Sequence, residues 1–356
     1  MKNPRPYIAA AGLRWVPELV LSGLILGLLG APIAGSTAAL GKPDAKDRRL
    51  AARQQLGRLL FFEPALSANG KRSCASCHRP EKAFCDQRAV PRALRFTANL
   101  DRNSPTLLNA TSQATFFHDG RAGSIAQVLT AVLTSPQEFG SSYAEVRARL
   151  GSSPEYRRWF RRAFGPSARI EPATMAAALT AYLNTLSCLD SPYDRAQRGS
   201  VALDSAARTG ALLFGNALGC ARCHSGPLFR DGQRHEVRPG FWVKTPGSRN
   251  VVLTMPYGAE GGYASVAAVL ASTFHRAQTP RWLTPADERR LLAFLTALTD
   301  TAGTTRSQPA SQPPCRPYRP CPTGSREAHI SASVRIKIII KCPSGTALFF
   351  HNFFSA

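Results

Sequence analysis

Two short runs carry residue types and a spacing that can do chemistry: Cys74-Ala75-Ser76-Cys77-His78 and Cys220-Ala221-Arg222-Cys223-His224. Two cysteines three apart, followed at once by histidine, are the attachment signature of c-type haem. The thiols reach the two vinyl groups of a porphyrin and become thioethers. The adjacent imidazole then lies under the ring as the proximal iron ligand. A C-x-x-C pair alone also occurs in redox dithiols and in half of a zinc site. With nine cysteines and seven histidines in 356 residues, two chance copies of the full run are unexpected, and neither copy has further paired Cys or His nearby. The remaining thiols, Cys85, Cys188, Cys315, Cys321 and Cys342, show no haem or metal spacing, although Cys315 and Cys321 could pair in an oxidising compartment.

Helical stripes supply the frame for both runs. Leu56, Leu59 and Leu60 with Phe61 and Phe62 read as a short amphipathic helix stopped by Pro64, just ahead of the first run. Residues 79–100 lack periodicity and read as a long ordered loop. Ile125, Val128, Leu129, Val132 and Leu133 form one helix face. Tyr156, Trp159, Phe160 and Phe164 form a second, and Met175, Leu179, Tyr182, Leu183 and Leu186, after Pro172, a third. Ser191-Pro192 breaks the pattern and marks a boundary. Asp204 is positioned to N-cap a helix through Phe214 that leads into the second run. Val266, Val269, Leu270 and Phe274 make another stripe, and Thr284-Pro285-Ala286-Asp287 opens a helix through Leu298. No strand signal stands out before residue 303. The fold class expected is mainly α, with two cytochrome c-type haem domains in tandem joined and covered by long ordered loops. The first domain spans 48–190 and the second 191–302.

Both chain ends differ in kind from this core. Residues 1–39 read as a signal peptide or N-terminal anchor: Lys2, Arg5 and Arg14 precede an apolar run from Leu19 to Leu29, with small residues Ser36-Thr37-Ala38 at a cleavage site. Eleven apolar positions are short of the about 20 that span a bilayer, so membrane attachment is expected only if this segment stays uncleaved. Export to the periplasm suits covalent haem attachment. Residues 303–356 begin proline-rich and read as a disordered tail. The net charge is +23, and between the two ends 35 Lys and Arg still face 20 Asp and Glu. Such a surface can pair with haem propionates through arginine and can steer an acidic electron-transfer partner. No nucleic-acid recognition motif accompanies the charge, so no nucleic-acid partner is expected.

The chain resembles the bacterial di-haem cytochrome c peroxidase family, which includes the di-haem enzymes that mature a tryptophylquinone cofactor. The likeness covers roughly 50–300 and reaches beyond the haem runs. It is carried by Leu56-Gly57-Arg58-Leu59-Leu60-Phe61-Phe62 with Pro64 and Leu66-Ser67, by Arg102-Asn103-Ser104-Pro105-Thr106-Leu107-Leu108-Asn109, and by Asp119-Gly120-Arg121-Ala122. Ser191-Pro192-Tyr193-Asp194, Phe214-Gly215, Ser225-Gly226-Pro227, Arg249-Asn250-Val251 and Pro256-Tyr257 continue it. The resemblance implies two c-type haems, hydrogen peroxide as substrate at the N-terminal haem, and electrons from a small donor protein (a cytochrome c or cupredoxin) entering at the C-terminal one. A homodimer is compatible with it. It implies that Glu138 is the distal acid/base group, which burial can tune toward neutral pKa. It further implies an interdomain calcium held by the side chain of Asn103 and the carbonyls of Thr254 and Pro256. A non-enzymatic di-haem carrier, or an oxidase maturing a protein-derived cofactor, remains the alternative.

Four departures from the family pattern stand out. His118 occupies the place of an interhaem tryptophan and is the candidate electron relay. Residues 79–100 hold no distal histidine, which leaves the first haem open to peroxide. The second haem's usual methionine or tyrosine falls at Thr273, with His275 two residues on as candidate distal ligand. The stretch from Asp231 to Trp242 is short, and 256–260 lacks an expected His-Asp pair.

Overall fold

A computed structural model describes residues 44–300, apart from 96, 97 and 188, and the backbone of 325–331 and 334–339. The leader segment, Cys188, Cys315, Cys321 and Cys342 therefore lie outside the described residues.

The chain opens with α1 (Ala45–Phe62), whose first turn is capped by the Asp44 carboxylate accepting from the Asp47 amide at 2.7 Å. This helix is three turns longer than its apolar stripe, because residues 45–55 are helix formers that leave most of their surface in solvent. After the turn Cys74–Ser76 a long loop runs to α2 (Ile125–Thr134), followed by α3 (Tyr143–Ser152), α4 (Pro154–Phe164) and α5 (Pro172–Asn184). The second half comprises α6 (Pro192–Gln197), α7 (Ser205–Leu212), the turn Cys220–Arg222, an antiparallel pair β1 (Arg234–Arg238) and β2 (Phe241–Lys244), α8 (Val266–Leu270), α9 (Thr273–Gln278) and α10 (Pro285–Ala297). Beyond it, β3 (Ser325–Ser331) pairs antiparallel with β4 (Val334–Ile339), inside the segment expected to be disordered. The rest of that tail lies outside the described residues.

The two halves use one plan twice. In the first, α1 lies on α5 so closely that a Cβ on Gly57 would stand 1.9 Å from the Ala178 carbonyl oxygen. In the second, α7 lies on α10, and a Cβ on Gly210 would stand 1.9 Å from the Arg290 carbonyl oxygen. Each pair closes an apolar cluster: Leu56, Leu60, Phe61, Met175, Leu179 and Tyr182 in one, Phe214, Phe229, Leu291 and Phe294 in the other. Burying each such side chain stabilises by about 1.5–3 kcal/mol.

The loops repeat as well, at one constant offset. Asn109 (φ 56°) and Asn250 (φ 58°) both open a short turn in the left-handed region, where asparagine is the tolerated non-glycine. Phe116 bridges Ala122 as Tyr257 bridges Tyr263, and Ser124 and Ser265 cap α2 and α8. The stripe expected over 266–274 is interrupted at Ser272, which caps α9.

No strand signal stands out before residue 303, yet two strands form there. β1 and β2 pair Arg234 with Lys244 and Glu236 with Trp242. Their charged alternation hides a ribbon that draws its stability from packing on the first half, since an isolated two-stranded ribbon is marginal.

Candidate functional site

Each cysteine-histidine run folds as a single tight turn against one apolar cluster. Cys74 and Ala75 pack on the first cluster, Cys220 and Ala221 on the second. His78 and His224 return their amides to the carbonyls of Cys74 and Cys220, both at 2.9 Å. Nδ1 of His78 then donates to the Phe84 carbonyl at 3.2 Å, and Nδ1 of His224 to the Phe229 carbonyl at 3.2 Å. Both phenylalanines hold left-handed backbone, φ 58° and 52°, which turns those carbonyls inward. A carbonyl can only accept, so Nδ1 carries the proton and Nε2 keeps its lone pair. Burial lowers the pKa of both imidazoles, which favours the neutral form that binds metal.

The thiols decide between the readings left open by sequence. Burial pushes Cys74 up to about 12 and Cys77 to about 11, with the charges of Asp86 and Glu138 adding to the latter against Arg72. A redox dithiol needs a depressed thiol pKa, the opposite of this setting. A zinc site needs further ligands, and among the described residues none gather at the first run. At the second, Cys223, Asp231 and His235 do lie within 4.8 Å of one another. There His235 Nε2 is 2.7 Å from Asp231 Oδ2, and the cluster would use a thiol that the attachment run already claims.

A pair of cations between the halves fits haem as well. Arg230 and Lys244 are half-buried close to each other, and burial lowers both pKa values, that of Lys244 to about 8 with the Arg230 charge contributing. Lys244 Nζ donates to Gln113 Oε1 and the Thr115 carbonyl at 2.7 and 2.6 Å. Arg230 Nη2 reaches the Asn109 carbonyl at 3.5 Å, and two partly desolvated cations on neutral oxygens suit a group that brings its own carboxylates.

Glu138 follows α2 in a turn closed by its amide to the Ser135 carbonyl, 3.1 Å. Burial raises its pKa, and the Ser135 hydroxyl, Arg121 and Arg72 temper the rise. Its turn is tied to the loop that follows the first run, the Gln137 carbonyl accepting from the Leu94 amide at 2.6 Å, and its charge adds to the rise at Cys77. Arg72 is buried with Nη2 donating to the Ala93 carbonyl at 3.0 Å.

His118 sits where the halves meet. Its Nε2 donates to the Asn103 carbonyl at 2.9 Å, and its own carbonyl accepts from the Lys244 amide at 2.7 Å. With Nε2 committed as a donor, His118 is a bridging polar group. Asn103 Nδ2 donates to the carbonyls of Arg88 (2.7 Å) and Ala89 (3.2 Å), and its amide to Ala259 at 2.8 Å. Thr254 Oγ1 donates to the Val251 carbonyl at 3.0 Å. Asn103, Thr254 and Pro256 thus lie on two cross-linked loops and offer neutral oxygens. The neighbouring acid, Glu260, is taken by Arg238 at 2.9 and 3.0 Å.

In the second half His275 is partly buried, with Nδ1 3.0 Å from Ser272 Oγ, whereas Thr273 is exposed. Burial first, and the His224 charge second, lower the His275 pKa to about 4. Sequence reasoning missed Phe84, Phe229, Ser248 and Ser272, which orient the imidazoles. Only a phenylalanine five or six residues past each histidine hinted at them.

The sequence model of the family described as di-haem cytochrome c peroxidase matches residues 51–202. Over 289 residues the chain is 31% identical to cytochrome c551 peroxidase of Pseudomonas aeruginosa, covering 72% of this chain and 80% of that protein. It is 34% identical over 236 residues to the methylamine utilization protein MauG of Methylorubrum extorquens, 60% of this chain and 66% of that protein. A solved MauG-like protein associated with microbial copper homeostasis aligns with TM-score 0.66 and 27% identity over 72% of this chain and 91% of its own. The diheme peroxidase BthA of Burkholderia thailandensis shares the fold at TM-score 0.60 and 24% identity, over 78% and 94% of the two chains. An identity of 31% sustained over four-fifths of a cytochrome c peroxidase, together with two structurally repeated attachment runs, makes this chain an oxidoreductase of the di-haem cytochrome c peroxidase family.

Proposed function

We propose that the chain reduces hydrogen peroxide to water, with electrons delivered by a small donor protein to the second run. Cys74, Cys77 and His78 would hold one haem and Cys220, Cys223 and His224 the other. Bound there, haem supplies iron for peroxide binding and electrons for breaking the O–O bond. The net reaction consumes two electrons and two protons and yields two waters.

The observation that carries this reading is the raised, half-buried carboxyl of Glu138 beside the first run. As a carboxylate it takes a proton from one peroxide oxygen, and as an acid it returns that proton to the departing one. Arg72 and Arg121 keep the group ionisable despite burial. The basic, apolar leader supports a periplasmic place of action, and the cross-linked loops of Asn103, Thr254 and Pro256 support a structural calcium.

Glu138→Gln is expected to lower peroxide turnover by about 10²–10⁴-fold while leaving the haem absorption spectrum unchanged. Full turnover in that variant would remove Glu138 from the mechanism. The likeness to MauG favours a second reading, oxidation of a protein-derived cofactor. Peroxide turnover with small cytochrome or cupredoxin donors separates the two.

A further inference from the structure

The constant offset between the halves sets the segment after α8 where the segment after α2 lies in the first half, and the two segments carry different side chains. The position matching His275 is Thr134, which is exposed and turns its hydroxyl back to the Thr130 carbonyl at 2.9 Å. Glu138 reaches the first run from this segment, whereas the second run meets an imidazole. We propose that His275 is the second axial ligand of the iron held by His224, so that this half is a bis-imidazole centre. The inference rests on the reading of the second run as a haem site.

Three features of the chain carry it. First, Arg222, inside the run itself, donates from Nη2 to the Gln278 carbonyl, tying the end of α9 to the attachment turn. Second, the two imidazoles are prepared alike. The Phe229 carbonyl and Ser248 Oγ, each 3.2 Å away, engage Nδ1 of His224, and Ser272 Oγ engages Nδ1 of His275. In both rings Nε2 is the nitrogen left for a metal, the arrangement in which an outer hydrogen bond fixes the ligand's orientation.

Third, the competing ligands are elsewhere. Thr273 is exposed on the same short helix. Met255 is 46% exposed and Met175 is buried in the first cluster, so neither described thioether serves the second run. A thioether partner raises haem potential, and its replacement by imidazole lowers it. The second centre is then closed and low in potential, and the first stays open to peroxide.

The test uses the holoprotein, with haem counted per chain and ferric spin states read at low temperature by electron paramagnetic resonance. Wild type is expected to show two haems, one with the low-spin signal of two imidazoles. His275→Gly should lose that signal to a high-spin one and regain it on adding free imidazole, with the first haem's signal unchanged. His275→Met should raise the second potential and bring the charge-transfer band of a thioether ligand. Two haems with the low-spin signal unaltered in His275→Gly would overturn the ligand assignment alone. One haem per chain would overturn the reading of the second run, and the ligand with it.

Discussion

At the scale of single residues, protonation separates the working groups. Burial lifts the Glu138 pKa above the ordinary glutamate value, so its base form is lost at a higher pH than for an exposed carboxylate. The acidic limb of kcat/KM is therefore expected above the usual carboxylate range, and it should vanish in Glu138→Gln, as a pH–rate profile will show. Asp194 behaves in the opposite way. Burial pushes it up, but Arg249 (2.7 Å from each carboxylate oxygen) and the Ser191 hydroxyl reverse this and hold its pKa below the ordinary aspartate value. A depressed carboxylate stabilises the fold above its unfolded pKa and loses that contribution as pH falls through the folded one. Unfolding should therefore ease below about pH 4. Arg249→Met strands a buried charge and is expected to cost about 3–5 kcal/mol in denaturant titrations at neutral pH. An Asp194→Asn, Arg249→Met pair should recover part of that loss.

Elements act through close approach. α1 meets α5 at Gly57 and α7 meets α10 at Gly210, with carbonyl oxygens where a side chain would be. Gly57→Ala must push the helices apart and unseat Phe61 and Tyr182, whose rings stand 5.3 Å apart. The expected cost is about 1–3 kcal/mol or more, read as a lowered midpoint of thermal unfolding, although alanine is the better helix former. An unchanged midpoint would mean that the contact is looser than this packing. Hairpin β1–β2 works differently: through Lys244 it clamps residues 113–118 of the first half from the second.

Across the whole molecule, the basic balance is a statement about encounter. Lys and Arg number 45 against 22 Asp and Glu, enough to steer an acidic donor. Its association rate, followed by stopped flow, should fall steeply as ionic strength rises, within the 10–10³-fold range of electrostatic steering. A salt-independent rate would place electron entry on a neutral face.

The sequence by itself determined the parts whose chemistry is local. Two cysteines and a histidine in five residues define an attachment run wherever they fold; Asp204 and Thr284 begin helices through bonds within one turn, and Pro172 through its fixed φ. Ser191-Pro192-Tyr193-Asp194 and Arg249-Asn250-Val251 were legible as separate motifs, and tertiary structure showed them to be one buried ion pair. Only that structure decided which carbonyl fixes each imidazole, that His275 rather than Thr273 turns inward, and that a charged ribbon locks the halves together. Those outcomes depend on pairings between residues tens of positions apart. Burial and through-space contact set them, and spacing along the chain encodes neither.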